Sequence, residues 1–390
     1  MKVMQEAPVE GKTVLMRTDY NVPLSEGQVT DASRIEMSLP TITYLIARDA
    51  KVVLLSHLGR PDGKVVEHLR LDPIASQLSE LLDQPVKKFP DCIGEEVRHG
   101  VAALQSRQVA ILENLRFHPE EGANDRSFAA QLAKLGEIFI NDAFASLHRS
   151  HASLVGISEF LPSYAGLLMQ KEIESLARLL KDPERPYIAI IGGKKARSKL
   201  STLHELINKV DAILVGGGVA FTFLRAQGYA VGDSIIDETL LDDTRMLIKK
   251  AEEKGVSIFL PLDIAMAQAA TAKAETAIYQ VDDIPAGWIG LDIGPKTITA
   301  FAKEIKAART IVWTGPMGMF EIPQFSVGTR GIADALAQTS AFSVVGGGET
   351  GEALTRLGVA DIPSYISTGG GACLSLLRGR SLLALEVLRR

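Results

Sequence analysis

The stretch that decides the fold runs from Tyr187 to Lys199 and reads YIAIIGGKKARSK. Its first five residues are apolar or β-branched and predict a fully buried strand. Gly192 and Gly193 follow at once, and four basic residues then share six positions before helical spacing begins. Glycines let the backbone approach a phosphate, helix N-terminal N–H groups point at it, and lysines supply positive charge. The stretch therefore predicts an anion site, with a solvated basic turn as the alternative.

The bulk composition bounds the classes of protein that fit. A chain of 390 residues is long enough for two or three domains, and 46% hydrophobic with 23% charged residues is typical of a globular enzyme. A net charge of −5 argues against a nucleic-acid binder or a polybasic membrane binder. We expect no membrane span and no secretory signal. Cys92 and Cys373 match no metal-binding spacing, and we expect both to be reduced in a cytoplasmic protein.

In the first half of the chain, four predicted strands and one predicted helix start each lead into an arginine or a histidine. These are Arg17 after Thr13–Met16, Arg34 at the helix start, His57 and Arg60 after Lys51–Leu55, Arg116 after Gln108–Leu112, and His148, Arg149 and His151 after Glu137–Ile140. Asp19 and Asn21 alternate with Tyr20 in an extended segment and so point to one side. Parallel strands place ligands at their carboxyl ends, so these residues predict a basic cleft for an anion.

The second half repeats a strand, a glycine turn and a helix. Glycine-rich turns follow the predicted strands at Gly216–Gly218, at 314–321, at 346–350 and at Gly369–Gly371. Lysines, one carboxylate and a threonine accompany these glycines, as a nucleotide phosphate chain with a metal would require. Strands that alternate with helices predict parallel sheets with right-handed crossovers. A small anion in one half and a nucleotide in the other suit a two-substrate phosphoryl transferase.

The motifs occur in the order of one known family. The segments RTDYNVP, SHLGRP, ENLRF, NDAF, HRSHAS, GGGVA, GLDIGP, WTGPMGMFE and ISTGGGA run in sequence from about Gly11 to the C-terminal part of the chain. In this the chain resembles the phosphoglycerate kinase family. The resemblance implies an α/β fold of two Rossmann-like domains, each a parallel sheet flanked by helices, joined by a hinge helix. It places the 3-phosphoglycerate domain at 1–165, the hinge helix at 166–182 and the nucleotide domain at 183–372, with 373–390 packing back on the first domain.

The resemblance also implies roles for individual residues. The 3-phosphoglycerate site would comprise Asp19, Asn21, Arg34, His57, Leu58, Gly59, Arg60, Arg116 and Arg149. The nucleotide site would comprise Gly192, Gly193, Lys195, Lys199, Gly216, Gly217, Pro316, Glu321, Gly347, Gly348, Glu349 and Thr350. Arg34 and Lys195 would be catalytic and would neutralise the transferring phosphoryl group, and Glu349 would bind Mg²⁺. The partners would be 3-phosphoglycerate or 1,3-bisphosphoglycerate and ATP or ADP, in glycolysis and gluconeogenesis, and the protein would be a monomer.

Some positions depart from the family pattern. Glu349 stands where the family usually has Asp, and Thr314 replaces a usual Asn. Lys194 and Arg197 replace usual small residues. These departures bear on nucleotide affinity and metal preference.

The predicted reaction is reversible phosphoryl transfer between ATP and the carboxylate of 3-phosphoglycerate. A carboxylate is already ionised at pH 7, so catalysis requires positioning and charge neutralisation but no general base. Domain closure about 167–180 and the ISTGGG segment would bring the substrates together and exclude water. Two alternatives stay open: a nicotinamide-dependent oxidoreductase, and a weakened family member that acts as a binding or scaffold protein, suggested by Glu349 and Thr314.

Overall fold

The computed structural model describes residues 1–379 and 382–389, which form two compact units. Unit 1 comprises Met1–Glu174 and Ser381–Arg390, and unit 2 comprises Ser175–Arg380. The division after Glu174 lies inside a helix, Leu167–Leu180, which falls within the predicted range 166–182. The predicted domain roles and boundaries are not decided by this division and stay predictions.

Unit 1 is built on a parallel sheet of six strands, in the order β5-β6-β4-β1-β7-β8. The strands are β1 (Thr13–Arg17), β4 (Lys51–Leu55), β5 (Val86–Lys88), β6 (Val109–Ile111), β7 (Ile138–Asn141) and β8 (Ser163–Ala165); β2 (Leu24–Ser25) and β3 (Gln28–Val29) form a small hairpin. Side chains alternate across the sheet, so Val14 and Met16 enter one core and Leu15 enters the other. Burial on both faces explains why these strands read as continuous apolar runs.

The helices of unit 1 cover the sheet. They are α1 (Ser33–Glu36), α2 (Leu39–Ile46), α3 (Asp72–Leu82), α4 (Glu95–Ala102), α5 (Pro119–Ala123), α6 (Arg126–Ala133) and α7 (Leu167–Leu180), which crosses the boundary between the units. Ile74 and Leu78 of α3 pack with β1 and β4 residues in one core. Phe128 and Leu132 of α6 pack in the other. Their i, i+4 spacing places each pair on one face of its helix.

Unit 2 contains a second parallel sheet of six strands, in the order β11-β10-β9-β15-β16-β17. Its strands are β9 (Tyr187–Ile191), β10 (Ala212–Val215), β11 (Ser257–Phe259), β15 (Thr310–Thr314), β16 (Phe342–Gly346) and β17 (Tyr365–Ser367). The decisive stretch supplies β9, whose five residues are all buried. The helices of the unit are α8 (Ala196–Leu206), α9 (Gly217–Ala226), α10 (Leu241–Glu253), α11 (Pro295–Ala307), α12 (Val327–Leu336), α13 (Gly348–Arg356) and α14 (Gly370–Leu377). A short α15 (Leu383–Glu386) belongs to unit 1.

One strand differs from the parallel pattern that the sequence predicts. Residues Ile289–Ile293 form β14 of a separate antiparallel sheet, in the order β13-β12-β14, together with β12 (Asp263–Ala267) and β13 (Thr276–Gln280). The central strand β12 pairs antiparallel with both β13 and β14, so Ile289–Ile293 lies outside the parallel sheet. Within residues 1–379 and 382–389, no helix has the length and apolar character needed to cross a membrane.

Candidate active site

Four neighbouring strands of unit 1 end at one edge of the sheet, and each leads into polar residues. The strands are β6, β4, β1 and β7, which pair in that order with parallel register. Asp19 and Asn21 follow β1, His57 and Arg60 follow β4, Arg116 follows β6, and Arg149 comes after β7. The topology therefore brings together residues that are far apart in the sequence, as the carboxyl ends of an open parallel sheet do.

Hydrogen bonds connect these loops. Arg34 Nη1 donates to Asp19 Oδ1 at 2.7 Å, and Ser146 Oγ donates to Asp19 Oδ2 at 2.7 Å. Burial alone would raise the pKa of the Asp19 carboxyl, but the opposite charges around it and the Ser146 hydrogen bond hold it below its ordinary value. Asp19 is thus ionised and orients Arg34, which is the second residue of the short helix α1.

A second set of contacts joins the loops after β1, β4 and β6. Asn21 Oδ1 accepts from Gly59 N at 2.8 Å, and Arg116 Nη1 donates to Gly59 O at 2.7 Å. Leu58 is buried, and its carbonyl accepts from Asn114 Nδ2 at 2.8 Å. Gly59 has φ of +65°, a left-handed conformation that glycine adopts without strain. Leu58 and Gly59 therefore contribute backbone positioning to the loop.

Arg60, Arg116 and Arg149 line a cleft of about 440 Å³. Burial, with the like charges of Arg149 and Arg17, lowers the pKa of Arg116 to about 10. Burial is the largest cause of this shift, and the like charges of Arg149 and Arg17 add to it. Three arginines at one cleft can bind a phosphate or a carboxylate through paired N–H donors. The cleft is therefore electrostatically suited to a multiply charged anion.

Behind this cleft lies a buried network that the sequence did not reveal. Arg17 closes β1 and is fully buried, and its Nε donates to Ser153 Oγ at 2.8 Å. Ser153 Oγ donates to Glu121 Oε1 at 2.6 Å, and Ser153 N donates to Glu121 Oε2 at 2.9 Å. Glu121 is also buried, and burial opposes its ionisation, but His151, Arg17 and Ser153 keep its pKa below the ordinary value. An arginine at the end of an apolar strand was the available signal, but Ser153 and Glu121 lie more than a hundred positions away from it.

The network also fixes the state of His57. Arg17 Nη2 lies 3.2 Å from His57 Nδ1. Arginine can only donate, so Nδ1 must accept and the ring proton must be on Nε2. Burial, with the positive charges of Arg17 and Arg116, holds the pKa of His57 well below its ordinary value, although Asp19 opposes this shift. His57 is therefore a neutral imidazole at pH 7 with an Nε2–H donor.

In unit 2 the glycine turns pack against one another at the carboxyl edge of the sheet. Gly192 N donates to Thr314 O at 2.8 Å, Gly193 N donates to Pro316 O at 2.7 Å, and Gly216 N donates to Ile191 O at 2.8 Å. Gly217 has φ of +58°, and a Cβ there would lie 2.6 Å from Gly193 N. Only glycine fits this approach, so the turns after β9, β10 and β15 form one backbone surface.

A cavity of about 550 Å³ adjoins this surface. Five of the predicted nucleotide-site residues line it, namely Gly193, Gly217, Pro316, Glu321 and Glu349. Apolar side chains that include Phe221, Ile235 and Met317 line the rest. A cavity of this size, mostly apolar with a few polar groups, is typical of a site for a small organic molecule.

The two predicted lysines have different surroundings. Lys195 is exposed at the residue before α8 and lines a neighbouring cavity of about 700 Å³ with Lys194 and Arg197. Lys199 is buried in the first turns of α8, and its Nζ donates to Thr314 Oγ1 at 2.7 Å. Burial lowers the pKa of Lys199 to about 8, against the opposing effect of Glu349. Thr314 therefore takes a direct part in the site, as the partner of a buried ammonium group.

Residues 347–350 form the start of α13. Gly347 precedes the helix with φ of +120°, Gly348 begins it, and Glu349 lies exposed in its first turn. A Cβ built on Gly193 would lie 3.6 Å from Glu349 Oε2, so this carboxylate reaches the β9 turn. Thr350 is buried, and its Oγ1 accepts from Gly315 N at 2.7 Å. Thr350 therefore ties the helix start to the loop after β15.

Comparisons with known proteins decide the family. Residues 4–380 match the family model described as phosphoglycerate kinase. A phosphoglycerate kinase from Pelotomaculum thermopropionicum is 49% identical over 387 residues, 99% of this chain and 98% of that protein. The chain belongs to the phosphoglycerate kinase family. A phosphoglycerate kinase from Moorella thermoacetica is 49% identical over 379 residues, 97% of this chain and 96% of that protein.

Solved phosphoglycerate kinase structures have the same fold. The enzyme from Coxiella burnetii superposes with a TM-score of 0.88 at 39% identity, covering 99% of this chain and 98% of that one. The enzyme from Pyrococcus horikoshii gives a TM-score of 0.86 at 33% identity, covering 100% and 98%. The two Rossmann-like domains predicted from the sequence are confirmed, and the activity is that of a phosphoglycerate kinase, a phosphotransferase. The oxidoreductase alternative is wrong, and none of these comparisons supports the scaffold alternative.

Proposed function

We propose that unit 1 of this phosphoglycerate kinase binds 3-phosphoglycerate and that unit 2 binds ATP or ADP with Mg²⁺. The reaction is reversible transfer of the terminal phosphoryl group of ATP to the carboxylate of 3-phosphoglycerate. The observation that carries the proposal is the cleft lined by Arg60, Arg116 and Arg149, where burial and mutual repulsion lower the pKa of Arg116. A phosphorylated carboxylic acid would relieve that repulsion. Cytoplasmic location and a monomeric state belong to the same proposal.

On the acceptor side, each residue supplies a fixed donor or a fixed charge. His57 offers Nε2–H, because Nδ1 is already engaged with Arg17. Arg34 is oriented by the ionised Asp19, and Asn21 holds the Gly59 turn that receives Arg116. No side chain needs to remove a proton, since the attacking carboxylate is already ionised at pH 7. The arginines compensate charge as the acyl phosphate forms.

On the nucleotide side, the apolar part of the 550 Å³ cavity would hold the base and ribose, with Glu321 toward the ribose hydroxyls. The phosphates would lie against the glycine turns and near Lys195 and Lys199. An exposed carboxylate at a helix start, with phosphate oxygens opposite, fits Mg²⁺, which commonly takes one or two carboxylates plus phosphates and water. Glu349 would hold the ion, which supplies charge neutralisation on the phosphate oxygens when bound.

The proposal for the acceptor site is tested by Arg149→Gln, with Arg126→Gln as the matched control. Arg126 lies in the same unit, is exposed and pairs with Glu159 at 2.8 Å, away from the cleft. We expect Arg149→Gln to raise the KM for 3-phosphoglycerate at least tenfold and to leave the KM for ATP within about twofold, since a charge-assisted hydrogen bond contributes about 1.5–3 kcal/mol. Equal effects of the two variants on the 3-phosphoglycerate KM would contradict the assignment.

Direct transfer requires the two ligands to meet, so we also propose closure about residues 167–180 and the ISTGGG segment. Small-angle scattering with each substrate alone and with both tests this hypothesis. Compaction that occurs only with both substrates is expected. An unchanged radius of gyration would rule closure out and would leave the site assignments untouched.

A further inference from the structure

A cluster of three potential metal ligands lies in unit 1, and one of them, His118, also lines the arginine cleft described above. Asp91 and Cys92 follow β5, and His118 lies at the start of α5. A carboxylate oxygen, the thiol sulfur and a ring nitrogen of these residues all lie within 4.8 Å of one another. Asp91 and His118 are far apart in the sequence, so residue spacing could not reveal the cluster. Carboxylate, thiolate and imidazole are the three ligand types that zinc takes in proteins.

One carboxylate oxygen organises the cluster. Asp91 Oδ1 lies 2.7 Å from His118 Nε2 and accepts from Cys92 N at 2.6 Å. The Cys92 sulfur lies within 4.8 Å of the ligand atoms of Asp91 and His118. The His118 ring packs against Phe128 with 5.2 Å between ring centroids, which limits its rotation. The carboxylate and the imidazole are therefore held in contact, with the thiol sulfur within 4.8 Å of both.

We propose that Asp91, Cys92 and His118 form a binding site for a thiophilic divalent cation such as Zn²⁺, with water as the fourth ligand. Tetrahedral zinc with bonds of about 2.0–2.3 Å requires ligand atoms about 3.4 Å apart. The His118 and Asp91 atoms, now 2.7 Å apart, must separate by less than about 1 Å to admit the ion. Small rotations of the two side chains would suffice.

The balance of charge and the route of entry both suit an ion. Zn²⁺ replaces the thiol proton. The formal charge of the site is then zero, because the dication balances the thiolate and the carboxylate and the imidazole is neutral. A neutral set carries a smaller burial penalty than an isolated ion.

Cys92 is fully buried, but the side chain of Asp91 is 50% exposed and that of His118 is 25% exposed. An ion can therefore reach the thiol from the Asp91 and His118 side.

This cluster differs from the proposed nucleotide-metal site in ligand chemistry. Mg²⁺ prefers oxygen ligands and keeps several waters, so a thiolate and an imidazole select against it. A thiol must lose its proton to bind the ion, so affinity should increase with pH. Excess Mg²⁺ should not displace the ion.

The experiment is titration of chelator-treated, nucleotide-free full-length enzyme with Cd²⁺ and Zn²⁺ in the presence of excess Mg²⁺. Cd²⁺ reports a thiolate ligand through an ultraviolet charge-transfer band, and calorimetry gives the Zn²⁺ stoichiometry and affinity. The chain provides a matched control, because Cys373 is the other cysteine and is also buried. Wild type and Cys373→Ser should bind one equivalent with the band, whereas Cys92→Ser should lack the band and bind Zn²⁺ at least tenfold more weakly.

His118→Gln serves as a second variant should Cys92→Ser fold poorly, with circular dichroism as the check on folding. It should keep part of the Cd²⁺ band but lower the Zn²⁺ affinity at least tenfold. The proposal is overturned if wild type binds no Zn²⁺ equivalent under these conditions. It is also overturned if the band survives Cys92→Ser or disappears in Cys373→Ser.

Discussion

The buried ammonium of Lys199 makes nucleotide affinity depend on pH in a predictable direction. Lys199 donates to Thr314 Oγ1 at 2.7 Å, and burial lowers its pKa to about 8. An ordinary lysine keeps its charge until about pH 10. Lys199 should instead lose its charge as the pH rises through 8, and with it the attraction for nucleotide phosphates. We therefore expect weaker ATP binding on the alkaline side of pH 8.

The magnitude follows from the titration. A group with a pKa of about 8 is about 90% charged at pH 7 and about 10% charged at pH 9. If only the charged form binds the phosphates well, the KM for ATP rises about tenfold over this interval, which corresponds to about 1.4 kcal/mol. Bound phosphates raise the pKa of the ammonium, so kcat measured with saturating ATP should change much less than KM.

The assay is the initial rate at varied ATP and saturating 3-phosphoglycerate, from pH 6.5 to 9.5. Lys199→Arg is the control, because a guanidinium keeps its charge throughout this range. A higher KM at every pH is compatible with this control, but the alkaline rise should disappear. Thr314→Val removes the hydroxyl acceptor from a buried cation, so its rise should begin at lower pH. A flat wild-type KM between pH 7 and 9, or the same slope in Lys199→Arg, would refute the reasoning.

Three further predictions use other features of the sites. The Nε2–H tautomer of His57, fixed by Arg17, should appear as an acceptor Nδ1 in long-range ¹H–¹⁵N spectra from pH 6 to 8, and a signal of imidazolium or of the other tautomer would contradict it. Burial raises the pKa of Asp292 to about 7, so the stability that the protonated carboxyl contributes is lost as the pH rises from 5 toward 8, by up to about 3 kcal/mol. Unfolding followed by tryptophan fluorescence should show this slope in wild type and a flatter one in Asp292→Asn. Glu349→Asp should change the ratio of Mg²⁺-supported to Mn²⁺-supported kcat/KM at least threefold, because the shorter carboxylate reaches less far; an unchanged ratio argues against Glu349 as the ligand.

The features that were predicted correctly depend on local sequence. The strands Tyr187–Ile191 and Lys51–Leu55 have the predicted bounds, and the helix Leu167–Leu180 falls within the predicted range 166–182, since apolar runs and helical spacing are local properties. Convergence of the arginines on one edge followed from a general rule about parallel sheets rather than from any single motif. Arg60, Arg116 and Arg149 do line one cleft.

The features that were missed depend on contacts between distant segments. The bond of Arg17 to Ser153 joins the end of β1 to a turn between β7 and β8, and no local pattern records it. In the sequence, Thr314 was only a departure from the family pattern. The fold shows that its hydroxyl oxygen accepts a hydrogen bond from Lys199. The strand Ile289–Ile293 was predicted to be parallel but is antiparallel, because the composition of a strand does not specify which strands it pairs with.

Each unit of the enzyme contains one buried thiol, and the two thiols can report how often each unit opens locally. Cys92 lies in the core of unit 1, and Cys373 lies in unit 2. A bulky thiol reagent, unlike a small ion, reacts with either residue only when the surrounding structure opens, so the two labelling rates report two separate opening free energies. Mass spectrometry of the labelled peptides can read both from one sample. A ligand that binds one unit should slow the thiol of that unit first, so the same measurement identifies which unit each substrate protects.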